Sequence, residues 1–141
     1  MMDKIPCLIF DLDGTIFNFS HHRGPYEDAK AADDVPYPVV LDILNRYKST
    51  HKIILVSGRD EGRSRIPTIE CLTKYDIHWD ELFMRDAFDV RSDDIIKTEL
   101  YNQHIKDKYD VFFVVDDRPK VLRAWKKLGL FTLNVGDGRE F

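Results

Sequence analysis

The stretch IFDLDGTIF, residues 9–17, places two carboxylates two residues apart at the end of an apolar run. Alternate side chains of a strand share a face, so Asp11 and Asp13 are expected to point to the same side. Like charges this close repel each other unless a positive group lies between them. Gly14 allows the backbone to turn sharply there and to approach a ligand. The motif therefore predicts a cation-dependent site at a strand end, with an ordinary Asp-rich turn as the alternative.

The length and composition limit the kind of protein. The 141 residues fit one domain, 1–141, and the 43% hydrophobic and 33% charged fractions are those of ordinary globular proteins. The net charge of −4 argues against broad nucleic-acid binding but leaves room for a local basic patch. We find no membrane-spanning run and no signal peptide, and expect no membrane partner. Cys7 and Cys71 lack metal-site spacing, so we expect buried thiols in a reducing compartment, the cytoplasm.

Strand-like and helix-like segments alternate along the chain. Strands are predicted at 6–12, 52–58, 80–85, 110–117 and 130–135, and helices at 37–49, 66–76, 92–105 and 118–129. Pro67 is expected in the first turn of its helix, and Ser92 is expected to cap the next helix. The alternation predicts an α/β fold with a doubly wound, mostly parallel sheet. Ligands of such sheets bind at the carboxyl ends of the strands, where the motifs DLDG, SGR and DDRP are expected to meet.

Three further motifs supply chemistry for that edge. Asp116 and Asp117 of DDRP would add carboxylates, although alone they resemble an ordinary helix cap. Such oxygen ligands suit Mg²⁺, which often shares its coordination shell with a substrate phosphate. In VSGR, the hydroxyl of Ser57, the amides around Gly58 and the side chain of Arg59 can hold phosphate oxygens; a common strand-to-loop turn is the alternative.

The motif DDIIK adds a cation. Lys97 follows Asp93 by four residues, so both share a helical face and Asp93 is expected to orient the ammonium group. A lysine there would neutralise the first carboxylate and a phosphate. A solvated surface ion pair is the alternative explanation of this spacing.

In chain order, DxDGT, Ser57, Lys97 and the DD pair resemble the four motifs of the haloacid dehalogenase (HAD) phosphohydrolase superfamily. The resemblance implies a two-step phosphoryl transfer, in which the nucleophile Asp11 forms an aspartyl-phosphate and Asp13 acts as general acid and then as general base. It implies catalytic charge neutralisation by Lys97. It also implies that four acidic residues hold Mg²⁺: Asp11, Asp13 through its backbone carbonyl, Asp116 and Asp117.

Longer stretches resemble one branch of this superfamily. RGPYE, VSGRDEG, DDIIKTE and VVDDRPKVLRAWKKLG are similar to the 3′-phosphatase domain of bacteriophage polynucleotide kinase-phosphatases, which removes 3′-phosphates from DNA and RNA ends. By this resemblance Arg23 and Arg59 match active-site arginines, and Asp93 and Lys97 match the third motif. The phage enzymes also carry a kinase domain. The motif G-x-x-x-x-G-K-[ST] is missing here, so we expect no 5′-kinase activity from this chain.

The places where HAD phosphatases insert a cap are short in this sequence. The slots at 15–36 and 78–91 lack room for a helical cap, so we expect a minimal cap and an open site that admits the end of a large chain. Tyr26 and Phe17 are candidates to stack a terminal base, with core packing as the alternative for Phe17. Basic residues expected near the site are Arg23, Arg59, Arg63, Arg65, Lys97, Arg118 and Lys120.

These patterns together favour a Mg²⁺-dependent polynucleotide 3′-phosphatase that acts on DNA or RNA ends in end repair, in the host cytoplasm if a phage encodes it. A phosphatase of free nucleotides uses the same chemistry and is the first alternative. A non-catalytic end-binding module is the second, although every catalytic position is intact. The sequence does not decide whether DNA or RNA ends are preferred or which of Asp116 and Asp117 contacts the metal directly. It also leaves open whether the protein forms a homo-oligomer.

Overall fold

A computed structural model of the chain describes residues 3–18 and 34–140. The candidate residues Arg23 and Tyr26 lie outside the described residues. The strands that form the main sheet are β1 (Ile5–Phe10), β4 (Lys52–Asp60), β5 (Glu81–Arg85), β6 (Tyr109–Asp116) and β7 (Thr132–Asn134). Two short strands, β2 (Phe17–Asn18) and β3 (Val35–Pro36), form an antiparallel pair. Among the described residues the main sheet has the order β5-β4-β1-β6-β7, and all its neighbours run parallel.

Helices connect the parallel strands. They are α1 (Pro38–Tyr47), α2 (Glu61–Lys74), α3 (Asp93–Leu100) and α4 (Pro119–Lys127), and a π-helical turn, Tyr101–Ile105, continues α3. The predicted α/β fold with a doubly wound parallel sheet is confirmed. Strand β1 lies in the middle of the sheet, so the carboxyl end of β1 is flanked by those of β4 and β6.

The core lies on both faces of the sheet because the side chains of β1 alternate between them. Leu8 and Phe10 pack in one cluster with residues of α1 and α2, such as Leu44 and Leu72. On the other side, Cys7 and Ile9 of β1 join the residues of α3 and α4, which include Ile96 and Trp125. Phe17 is fully buried in the first cluster, so it packs in the core and does not stack a base.

The start of α2 differs from the prediction. The helix begins five residues before the predicted start, and Pro67 lies in its interior, not in its first turn. Asp60 causes the early start, because its carboxylate accepts hydrogen bonds from the backbone N–H groups of Gly62 (2.7 Å) and Arg63 (3.2 Å). Ser92 precedes α3 as predicted, but its hydroxyl contacts the carboxylate of Asp94 and caps no backbone N–H.

Both cysteines are free and buried, as predicted. Burial, together with the nearby charge of Asp110, raises the pKa of the Cys7 thiol to about 12. Within the described part of the chain, no helix has the length and apolar character needed to cross a membrane.

Candidate active site

The motifs predicted to meet lie together at the carboxyl edge of the sheet. Asp11 directly follows β1, and Asp116 is the last residue of β6, which pairs with β1. On the other side of β1, β4 continues through Ser57 and Gly58 to Asp60, two residues beyond the predicted end. The edge therefore collects acidic groups from β1 and β6 and polar groups from β4 around one point.

Lys97 of α3 occupies the centre of this acidic group. Its Nζ donates to Asp11 Oδ1 at 2.7 Å and to Asp116 Oδ2 at 3.0 Å, and the residue is only 2% exposed. The expected contact of Lys97 with Asp93 is wrong, because Asp93 pairs with Arg85 and Arg118 instead. The buried lysine offsets the repulsion between Asp11 and Asp116. The expected convergence of the Asp11 and Asp13 side chains is wrong, because Asp13 is paired with Arg59 and not with Lys97.

The protonation of the central groups reflects this arrangement. Burial raises the pKa of Asp11 well above its ordinary value, and the charge of Asp116 adds to this effect while Lys97 opposes it. For Lys97, burial alone would lower the pKa, but Asp11 and Asp116 reverse the effect and raise it above the ordinary value. Burial and the charge of Asp116 also raise the pKa of Asp117. One lysine is thus too little positive charge for three carboxylates, and a further cation would stabilise their ionised forms.

Asp116 has its hydrogen-bonding capacity filled by the protein. Its Oδ2 accepts from Lys97 and from Trp125 Nε1 at 3.1 Å, and its Oδ1 accepts from the backbone N–H groups of Asp117 (2.8 Å) and Arg118 (3.3 Å). Sequence reasoning missed Trp125. Its position on the apolar side of α4, the helix that starts directly after DDRP, was the available signal.

Three carboxylates lie close enough together to form an acidic metal site, although the oxygens of Asp116 already accept bonds from the protein. Asp11, Asp116 and Asp117 each offer an oxygen, and these atoms all lie within 4.8 Å of one another. Gly14 makes the approach of Asp117 possible: it has a φ of +79°, and a Cβ there would lie 2.1 Å from Asp117 Oδ2. Thr15 Oγ1 lies 3.1 Å from Asp11 Oδ2 and 3.3 Å from Asp117 Oδ1. This set of oxygen donors fits the preference of Mg²⁺.

The side chain of Asp13 points away from this set and towards Arg59. Arg59 Nη2 lies 2.5 Å from Asp13 Oδ1 and 2.7 Å from Asp34 Oδ2, and Nη1 donates to Thr68 Oγ1 at 2.8 Å. Arg59 and Asp34 are buried, whereas the Asp13 side chain is 24% exposed. Arg59 was predicted to bind phosphate; the structure shows its guanidinium group in contact with Asp13, and phosphate binding by Arg59 stays a prediction. No sequence pattern marked Asp34 as its buried partner.

A second cluster borders the site from β5 and α4. Arg85 ends β5, donates to the Gly58 carbonyl oxygen at 2.7 Å and contacts the carboxylate of Asp93. Arg118 Nη1 donates to the other oxygen of Asp93 at 2.7 Å. Sequence reasoning missed Arg85, although a polar residue at the carboxyl end of a predicted parallel strand was a usable signal.

Ser57 is buried, and its Oγ accepts from the Arg59 backbone N–H at 3.0 Å.

These groups surround a cleft of about 800 Å³. Asp11, Asp13, Gly58, Arg59, Asp93 and Asp117 line it, and so do Arg63, Arg85 and Arg118. Arg65 and Lys120, which were expected near the site, are not among the residues that line this cleft: Arg65 pairs with Glu61, and Lys120 pairs with Asp94. Two carboxylates meet in the cleft: Asp11, which is paired with the buried Lys97, and Asp13, which is held by Arg59. Such a set of groups can transfer a phosphoryl group.

The comparison with protein families agrees with this chemistry. Residues 5–140 match the family described as the polynucleotide kinase PNKP phosphatase domain, which is part of the HAD group. The chain belongs to this family. It is therefore a phosphatase with the HAD fold.

Longer proteins contain similar domains. A viral protein of Autographa californica nuclear polyhedrosis virus, named "Putative bifunctional polynucleotide kinase/RNA ligase", is 36% identical over 137 residues, which are 93% of this chain and 19% of that protein. A chain in a structure of a Pnkp1/Rnl/Hen1 complex is 38% identical with a TM-score of 0.93, and the match covers 99% of this chain and 48% of that one. A chain of the Pnkp1/Rnl/Hen1 RNA repair complex is 40% identical with a TM-score of 0.90, over 96% and 46%.

The fold extends to more distant hydrolases. A haloacid dehalogenase-like hydrolase of Streptococcus pneumoniae is 12% identical with a TM-score of 0.65, and the match covers 92% of this chain and 84% of that protein. At this identity the likeness concerns the fold alone. Almost the whole chain aligns with its nearer relatives, but it spans only about half or less of the length of those proteins.

Proposed function

We propose that this phosphatase removes the terminal 3′-phosphate from polynucleotide ends, with Mg²⁺ as its cofactor. The observation that carries the proposal is Asp11 in a cleft of about 800 Å³ that is far larger than a phosphate group. Membership in a polynucleotide kinase phosphatase-domain family supports a polynucleotide as the large part of the substrate. We further propose that residues 1–141 act as one catalytic domain.

The nearer relatives favour RNA. One is named as an RNA ligase as well as a kinase, and another belongs to an RNA repair complex. We therefore propose RNA 3′ ends as the main substrate and a role in end repair before ligation. We also propose that this protein assembles with an RNA ligase.

The reaction begins at Asp11. Its carboxylate attacks the phosphorus, the P–O bond to the 3′ oxygen breaks, and the leaving oxygen takes a proton from Asp13. Asp13 then removes a proton from water, which attacks the aspartyl-phosphate and releases inorganic phosphate together with free Asp11. Arg59 would position Asp13, because it holds the Asp13 carboxylate by three contacts at the side of the cleft.

Other residues would hold the phosphate and the metal ion. The Ser57 hydroxyl accepts from a backbone N–H, so its own hydrogen can point to a phosphate oxygen. Asp11 and Asp117 would bind Mg²⁺ directly, together with the backbone carbonyl of Asp13. Asp116 lacks a spare lone pair, so it would position Lys97. When bound, the ion supplies positive charge to the phosphoryl oxygens.

Substrate length provides the test of this proposal. We expect kcat/KM for a 3′-phosphorylated RNA oligonucleotide to exceed that for a free 3′-mononucleotide by at least about tenfold, because the longer strand gains stacking and charge contacts in the cleft. A 5′-phosphorylated oligonucleotide of the same sequence is the matched control and should be a poor substrate. A preference for the free nucleotides would overturn the proposal in favour of a nucleotidase.

Metal removal tests the cofactor separately. EDTA should abolish phosphate release, and Mg²⁺ should raise the Tm of the wild type because the ion relieves repulsion among three carboxylates. In Asp117→Asn this Mg²⁺-dependent rise should be lost, whereas Asp42→Asn, at an exposed ion pair on α1, should keep it. Full activity in EDTA would remove the metal from the scheme. An unchanged Mg²⁺ shift in Asp117→Asn would remove Asp117 from the ligands of the ion.

A further inference from the structure

The loop that follows β5 carries two exposed apolar side chains at the rim of the cleft. This rim loop, residues 86–92, contains Phe88 and Val90, each 94% exposed. Both line the same cleft as the nucleophile Asp11. Large apolar side chains that are this exposed next to a polar site are typical of a surface that binds something.

The rim loop is held in place by hydrogen bonds to its backbone. Arg85 Nη1 donates to the carbonyl oxygens of Asp89 (3.0 Å) and Arg91 (2.5 Å), while its Nε donates to the carbonyl oxygen of Gly58 on the neighbouring strand β4. The backbone N–H of Phe88 donates to the carboxylate of Asp60 at the start of α2. The ring of Phe88 is thus presented by a fixed backbone, so little ordering would be needed when a ligand packs on it.

The backbone of Phe88 is also in an unfavourable conformation. Its φ of +67° lies in the left-handed region, which residues with a Cβ rarely adopt. Burial of the ring does not compensate for this strain, because the Phe88 side chain is exposed to solvent. Strain of this kind tends to be kept where it serves binding. A bound molecule that packs on the ring of Phe88 would account for both the backbone strain and the exposure of the ring.

We propose that Phe88, with Val90 beside it, forms a stacking surface for the terminal nucleobase of the strand whose 3′-phosphate lies at Asp11. This inference rests on the proposed function and adds the group that recognises the terminal nucleoside. Aromatic stacking tolerates every base, because each base has a flat apolar face. Arg63 and Arg118 line the same cleft. Each contacts a carboxylate, Asp60 and Asp93 respectively, and each has further N–H groups that would pair with the phosphates of the strand. The combination of an exposed ring and nearby arginines favours nucleic acid over an apolar protein surface.

The chain offers a matched control for this ring. Phe131 is 69% exposed, directly precedes the edge strand β7 and does not line the cleft. Phe131→Ala removes the same number of atoms from an exposed phenylalanine outside the catalytic and binding residues. Phe88→Trp keeps an aromatic face at the rim.

The experiment combines these variants with two substrates. One is a 3′-phosphorylated oligonucleotide, and the other is the same strand without the base of its terminal nucleotide. We expect Phe88→Ala to lower kcat/KM on the first substrate by roughly 5- to 150-fold, the range measured for one base–aromatic stack. On the abasic substrate Phe88→Ala and the wild type should be equal. Phe88→Trp and Phe131→Ala should match the wild type on both substrates.

The possible outcomes separate this inference from the proposed function. If the wild type fails to release phosphate from the oligonucleotide, the proposed function is wrong and the stacking surface fails with it. If the wild type is active and Phe88→Ala retains its kcat/KM, only the stacking inference is overturned, and a protein contact becomes the explanation of the exposed ring. An equal loss on the intact and abasic strands would also overturn it, because the effect would then be independent of the base.

Binding can be measured without turnover. In an Asp11→Asn background, a strand with 2-aminopurine as its terminal base should lose fluorescence when it binds, because the base stacks on the ring. Adding Phe88→Ala should remove most of this quenching. Quenching that persists in the double variant would contradict the assignment to Phe88.

Discussion

Asp11→Asn is expected to lower kcat for 3′-phosphate release by roughly 10⁴-fold or more, the scale seen when a covalent nucleophile is removed. The amide has nearly the same shape as the carboxylate but is a poor nucleophile. Because Asp11 carries a raised pKa from burial and neighbouring acids, removing its charge should leave the fold intact and slightly more stable. The loss of activity would therefore report chemistry and not unfolding.

The covalent intermediate gives this prediction a direct measurement. Acid quenching during turnover of a ³²P-labelled 3′ end should trap label on the wild-type protein and none on Asp11→Asn. Asp42→Asn, which changes an exposed carboxylate on α1, should retain both activity and labelling. If Asp11→Asn became labelled, or released phosphate at the wild-type rate, another residue would be the one that attacks the phosphorus.

Lys97→Met is expected to lower the free energy of unfolding by about 3–5 kcal/mol at neutral pH without Mg²⁺, and to abolish activity. The lysine is the cation between the buried carboxylates of Asp11 and Asp116, and removing one partner leaves buried charge without compensation. Urea unfolding measures the stability. Lys127→Met, at the exposed end of α4, is the matched control and should change stability little.

Two further observations would test the reason for that loss. Adding Asp116→Asn to Lys97→Met should recover part of the stability, since one of the two buried charges is then gone. The destabilisation should also shrink as the pH falls from 7 towards 5. The pKa of Asp11 is raised already and rises further without Lys97, so the folded state binds protons that the unfolded state does not, and lower pH favours it. A loss that is independent of pH and of Asp116 would indicate a packing defect instead.

Comparison of the prediction with the structure shows where local patterns suffice. The apolar runs that end in DLDG, SGR and DDRP predicted parallel strands with polar carboxyl ends, and the sheet order places β4 and β6 on either side of β1. Strand and helix periods are local properties of the chain, so short segments were enough to predict them. The start of α2 was missed because the Asp60 cap outweighed the proline signal at Pro67.

The amino-acid sequence alone specified the parallel α/β architecture, the resemblance to HAD phosphatases and the two aspartates of the first motif, since these depend on residue types at short spacings. Only the tertiary structure decided the partner of each charged group. Lys97 binds Asp11 and Asp116 and not Asp93, Arg59 holds Asp13 against the buried Asp34, and Phe88 stands exposed at the cleft. Pairings of this kind depend on distances between elements far apart in the chain and on how deeply each charge is buried, and neither quantity is written in any local pattern.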